Sequence, residues 1–269
     1  MSKNSCLKIS IVHTLAIFGG ECMWEYTIKC DKHSNEYLHY IYNNIVSRII
    51  DKGGNIAIVE NDTECILSVA VSDTDTKTMQ RLIKTKIVDI LCEKMKYDYI
   101  KNRWAGGVFH KDFEELFLRV CTYFDIELER KIVMRNLVLS NSIMLDTYIH
   151  FYLSPLIQKW QDLVNLVNNN VDVFLQNDTF FEILSFLVSN LDTKTNIVNI
   201  SISDDSSSLV LECGKLYKIF DINDTIGIIT GLIEFAPKKV LIAVPQHSHY
   251  SMDRIVQLFG NRVDLIAGK

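Results

Sequence analysis

Two histidines two residues apart, His247 and His249, follow the apolar run VLIAV. An HxH pair supplies two imidazole ligands to a divalent transition metal, and a zinc site takes three or four protein ligands. Tyr250, Asp253 and Cys213 are the groups from which this chain offers a third. A histidine at such a place also suits general acid or base work, because its ordinary pKa lies near neutrality. The plainer alternative is a pair of solvated loop histidines, since no HExxH or CxxC accompanies them. Pro245-Gln246-His247-Ser248 precedes a helix expected to start near Ser251, so its backbone N–H groups face the kind of end that binds phosphate. It lacks the glycines that let a backbone approach a phosphate closely, and neither GxxxxGK[ST] nor GxGxxG occurs in the chain.

Other chemistry has less to stand on. No GxSxG elbow is present. Gly19-Gly20, Gly53-Gly54 and Gly106-Gly107 read as turns and helix stops. Glu114-Glu115 reads as a helix surface and Asp204-Asp205 as a turn, while Arg103-Trp104 and Lys238-Lys239 are too small for a nucleic-acid footprint. With 28 Lys+Arg against 33 Asp+Glu, no overall positive field draws the chain to nucleic acid or to an anionic membrane. Cys6, Cys22, Cys30, Cys65, Cys92, Cys121 and Cys213 have no paired spacing and are odd in number, which suggests reduced thiols in a cytoplasmic protein, most of them core residues. The N-terminal stretch lacks a cleavage pattern and reads as a strand rather than a signal peptide. The longest apolar stretch, residues 132–153, carries Arg135, Asn136, Asn141, Asp146 and His150, so no membrane span is expected.

The elements that would position these groups follow from periodicity. LKISIVH and CMWEYTIK alternate apolar with polar on either side of Gly19-Gly20, predicting a hairpin. After Ser34, Leu38, Ile41, Ile45 and Ile49 recur at helical spacing until Gly53-Gly54. NIAIVEN and ECILSVAVS give a second hairpin around Asn61-Asp62-Thr63, and a helix runs from near Thr74 to about Trp104. From about Phe109 to Leu191 only helices are predicted, with starts at Ser154-Pro155 and Asn177-Asp178-Thr179. Pro155 either kinks one helix or separates two. Beyond Asp192 the period returns to two: a hairpin of NIVNISIS and SLVLEC around Asp204-Asp205-Ser206-Ser207, a helix from Asn223 or Asp224, the strand VLIAV, a helix over Met252 to Phe259, and VDLIA. The expected fold class is mixed α+β. It comprises an N-terminal ββαββα-like unit over residues 1–105, a helical segment over 106–192, and a C-terminal α/β unit over 193–269 with a mostly parallel sheet.

TYIHFYLSPLIQKWQDLVNLVNNNVDVFL, FFEILSFLV, NIVNISIS, GLIEFAPKKVLIAV and NRVDLIAGK, in that order, resemble the YtxC family of sporulation proteins from spore-forming Gram-positive bacteria. The likeness covers roughly residues 125–269, with IHFYL and APKKVLI its most specific parts. That family has no established reaction, so the resemblance implies an association with sporulation and no catalytic residues. The chain departs from the family pattern where Phe151 is followed by Tyr152, Leu153, Ser154 and Pro155. It departs again at Ala243, where the family has a histidine, and at Ala267-Gly268-Lys269, where it has a cysteine-containing terminus. Loss of such groups fits binding better than catalysis. The expectation is a cytoplasmic, sporulation-associated protein acting through a protein partner, with no cofactor and no nucleic acid. The alternative is a metal- or small-molecule-binding enzyme with its site near His247 and His249.

Overall fold

The computed structural model describes residues 23–104, 111–139, 141–169, 177–203, 207–244 and 250–267. In chain order they form β1 (Met23–Asp31), α1 (Asn35–Asp51), β2 (Asn55–Glu60), β3 (Glu64–Ser72), α2 (Thr76–Asp89), a π-helical segment (Ile90–Met95) and α3 (Lys96–Arg103). Then come α4 (Lys111–Tyr123), α5 (Ile126–Asn136), β4 (Ser142–Met144), α6 (Leu145–Tyr152), α7 (Ser154–Asn168) and α8 (Asn177–Ser189). The chain closes with β5 (Thr195–Ile202), β6 (Ser208–Cys213), β7 (Leu216–Asp221), α9 (Thr225–Phe235), β8 (Pro237–Val244), α10 (Tyr250–Phe259) and β9 (Val263–Ala267). The fold is mixed α+β, with one four-stranded and one five-stranded sheet. Contacts divide the chain into two units, residues 1–95 with 128–159 and residues 96–127 with 160–269, so the helical middle is shared between them.

In the first unit the strand order is β2-β3-β1-β4. Alternation along β1 and β3 sets Tyr26, Ile28 and Cys30 opposite Val69, Leu67 and Cys65, all buried, while Glu25, Thr27 and Lys29 take the other face. Helices α1 and α2 cover the buried face, α1 contributing Leu38, Ile41, Ile45 and Ile49. Asn61 turns the β2–β3 hairpin, its Oδ1 accepting from the N–H of Thr63 (2.9 Å) and of Glu64 (2.8 Å). Strand LKISIVH of the other predicted hairpin lies outside the described residues.

The structure departs from the helices-only expectation over 109–191 at β4, which pairs in parallel with Thr27–Lys29. Three residues are too few for a period of two to register, and Ile143 merges by spacing with Leu145 and Ile149 of α6. The single helix predicted from Thr74 to Trp104 is also interrupted. Its buried positions run Ile83, Ile87, Leu91 and then Lys96, Ile100; the five-residue step from 91 to 96 is the extra residue of the π turn. Pro155 separates two helices, since α6 ends at Tyr152 and α7 begins at Ser154.

In the second unit the strand order is β7-β6-β5-β8-β9. The parallel expectation holds for β5, β8 and β9 and the hairpin expectation for β5–β6, while β6–β7 adds a second antiparallel pair, so the sheet is mixed and not mostly parallel. One face buries Val198, Ile200, Leu209, Leu211, Val240 and Ile242 beneath α9. Asp224 caps α9 by accepting from the Gly227 N–H (2.9 Å). Close approach is built in at Gly231, where a Cβ would lie 2.8 Å from the Phe220 ring and 3.0 Å from Leu211. On its other side α9 meets α4, and α10 packs on α8 through an apolar stripe that includes Met252, Ile255 and Leu258.

Candidate functional site

The loop carrying His247 and His249 falls in residues 245–249, outside the described residues, as do Gly106-Gly107 and Asp204-Asp205. Its flanks are described: β8 ends at Val244 and α10 begins at Tyr250, so the loop leaves the carboxyl end of a sheet strand. Asp253 lies on the exposed side of α10. Cys213, considered with them as a ligand, is placed by the strand registers. Because β6 runs antiparallel to β5 and β8 parallel to it, Cys213 sits level with Val198 and Val240. That is four residues, about 13 Å of strand, before Val244, the last residue of β8. Among the described residues no group of three or more His, Cys, Asp or Glu is placed to hold a metal.

Several polar clusters are built, although Arg130 Nε and Tyr148 OH are buried without a hydrogen-bond partner. In the second unit Tyr97 OH donates to Glu115 Oε2 (2.5 Å) and Arg119 Nε to Glu115 Oε1 (2.8 Å), while the guanidinium lies 4.7 Å from the Tyr97 ring centroid. Burial alone would raise the Glu115 carboxyl, but the hydrogen bonds from Tyr97 and Arg119 outweigh it and hold the group below its ordinary value. Glu115 is thus a packing hub rather than the plain helix surface that the Glu114-Glu115 pair suggested. Lys96, buried, donates to Phe124 O (2.8 Å). Cys121 beneath it is pushed up to about 12 by burial, which makes it inert at neutral pH.

In the first unit His39 Nε2 lies 2.7 Å from Glu60 Oε1, and that hydrogen bond chiefly lowers the Glu60 carboxyl. Arg130 bridges Asp89 (2.9 Å) and Glu93. Cys30 and Cys65 are cross-strand neighbours, buried and free; the thiol–thiol hydrogen bond, then burial, raises Cys30. A cavity of about 380 Å³ is lined by residues including Asn136, Val138, Thr147, Tyr148 and Tyr152. Tyr152 stacks on Tyr148 with centroids 5.3 Å apart. Phe151 and Tyr152 of the IHFYL stretch are 70% and 66% exposed.

The second unit's sheet carries exposed apolar side chains, among them Tyr217, Ile219 and Ile266. Among the described residues its helices lie on one face, and the strand registers set a row across all five strands on the other: Ile219, Val210, Ser201, Ala243, Ile266. Ile219 and Ile266 at its two ends are 60% and 46% exposed. A second row runs Tyr217, Glu212, Asn199, Leu241, Asp264, with Lys239 paired to Asp264 beside it. The edge strand β7 adds exposed Leu216 and Tyr217. Periodicity alone does not distinguish this strand from loop, because Leu216, Tyr217, Ile219 and Phe220 put apolar groups on both faces and blur the alternation. The signal that finds it is the two-residue Gly214-Lys215 link between SLVLEC and a second apolar run of the same length.

No protein-family model matches the chain, no curated protein matches it, and no solved structure matches it.

Proposed function

We propose that this protein works by docking onto polypeptide partners, using the open face and β7 edge of the five-stranded sheet, in the setting of sporulation that the YtxC resemblance implies. The observation that carries the reading is the Ile219–Val210–Ser201–Ala243–Ile266 row, weakly polar, spanning every strand of the sheet on the face that carries no helix among the described residues. Contiguous apolar surface of this kind on a folded unit marks an interaction site more often than scattered exposed side chains do. Glu212, Lys239, Asp264 and Asp221 fringe it with charge, the arrangement of an apolar centre in a polar rim.

The test is cross-linking and affinity capture from sporulating cells with the wild-type chain and a Val210→Glu, Ile266→Lys double variant. The reading expects captured proteins that the wild type retains and the variant loses by roughly tenfold or more. Capture that is equal for both, or no protein above background, overturns it.

A further inference from the structure

We infer that β7 is a self-docking edge: two copies of this chain pair β7 with β7 in antiparallel fashion about a dyad at Ile219, joining two five-stranded sheets into one. The inference rests on the docking reading above and names one partner for it, a second copy.

The backbone geometry comes first. Asp221 lies opposite Ser208 and Leu216 opposite Cys213, and Ile222 N–H donates to Ser207 O (3.1 Å). Alternation along an antiparallel ladder then turns the N–H and C=O groups of Leu216, Lys218 and Phe220 toward β6. Those of Tyr217, Ile219 and Asp221 point away from the sheet, where no strand adjoins β7 among the described residues. Side chains leave this edge open as well, Leu216, Tyr217 and Ile219 being 65%, 68% and 60% exposed. Proteins usually blunt such an edge with proline, a bulge or a projecting lysine. Here β7 has no proline, its register with β6 is unbroken, and Lys218 is drawn into an ion pair with Glu234 of α9.

Charge selects the occupant. Lys215 stands at the start of β7 and Asp221 and Asp224 at its end. Antiparallel pairing about Ile219 sets Tyr217 against Asp221 of the second copy and Lys215 against Asn223, between the two aspartates, so each basic end meets an acidic end. A dyad one residue earlier places Lys218 against Lys218, and parallel pairing sets like ends together; both are repulsive. The favoured register forms roughly six backbone hydrogen bonds. It also continues the Ile219–Val210–Ser201–Ala243–Ile266 row from Ile219 of one copy into Ile219 of the other, so the two faces that carry this row form a single surface.

Sedimentation equilibrium of the full chain from about 1 to 100 μM tests this at low salt. A monomer–dimer equilibrium is expected. Ile219→Pro removes an outward N–H without touching a β6–β7 bond, and should give a monomer with an unchanged far-UV circular dichroism spectrum. Lys215→Glu, on an exposed turn, should weaken dimerisation roughly tenfold, with part of the loss masked by added salt. A wild-type monomer across the range overturns the inference, and so does a dimer indifferent to both substitutions. Repeating the capture from sporulating cells with Ile219→Pro separates the two readings. Partners retained by a wild type that is monomeric leave the docking reading standing and remove only self-pairing.

Discussion

Arg262 donates from Nη2 to Ser189 O (2.7 Å) and Leu191 O (3.1 Å), and from Nη1 to Pro237 O (3.2 Å). One planar guanidinium thereby closes the C-terminal end of α8 and the first residue of β8, where carbonyls would otherwise go without intrahelical partners. Burial lowers its pKa, but an arginine stays charged at any pH at which the protein is folded. Arg262→Ala should lower stability by about 2 kcal/mol, the loss of charge-assisted bonds to partly buried acceptors. Arg262→Lys should recover less than half, because an ammonium is a point donor and not a fork. Urea midpoints at constant m-value check both, and an Ala variant as stable as the wild type would show that water satisfies the carbonyls equally well. Nothing in NRVDLIAGK announced this role, since two of its acceptors are backbone carbonyls 71 and 73 residues earlier and every residue has one. The thiols were easier: Cys30, Cys65, Cys92 and Cys121 are buried and outside any disulfide, as cysteines without paired spacing should be. His247 and His249, conspicuous in the sequence, lie outside the described residues.

At the scale of elements, α1 ends in a Schellman motif that its sequence spells out. Gly54 N–H donates to Ile49 O (2.9 Å) and Gly53 N–H to Ile50 O (2.8 Å), with Gly53 at φ 68°. The two glycines are there for different reasons, so their substitutions should differ. A Cβ at Gly53 meets nothing within 4 Å, leaving only the left-handed backbone penalty, and Gly53→Ala should cost about 1 kcal/mol. A Cβ at Gly54 would sit 2.7 Å from Ala70 O and from Val71 Cγ1, so Gly54→Ala must move the β3 backbone and should cost about 3 kcal/mol. Thermal unfolding of both variants checks the ranking; the reverse order would mean that the loop yields more readily than the turn. Long amphipathic helices and the Asn61 hairpin were legible because their patterns repeat over several periods. What stayed hidden was short or two-faced: β4 at three residues, the single inserted residue of the π turn, and β7 with apolar groups on both sides. The edge strand that makes the candidate interface was thus the element least visible to a periodicity test.

At the scale of the molecule, the change of period near Asp192 suggested a C-terminal unit that begins there, whereas the contacts join residues 160–269 with 96–127. The difference has an energetic content. Helix α9 is apolar around most of its circumference, with Ile228, Ile229, Leu232 and Ile233 all buried; the sheet covers one side of it and α4 another. Likewise α10 rests on α8. A fragment of residues 193–269 keeps the sheet and loses both covering helices. Uncovering even a few large side chains at about 1.5–3 kcal/mol each removes stability of the same order as the 5–15 kcal/mol that holds an ordinary domain together. The fragment should therefore show secondary structure by far-UV circular dichroism but neither a dispersed amide spectrum nor a cooperative melt, while the full chain shows both. A dispersed, cooperatively melting fragment would establish instead that the five strands with α9 and α10 are self-sufficient, and would put the boundary back where the periodicity changes.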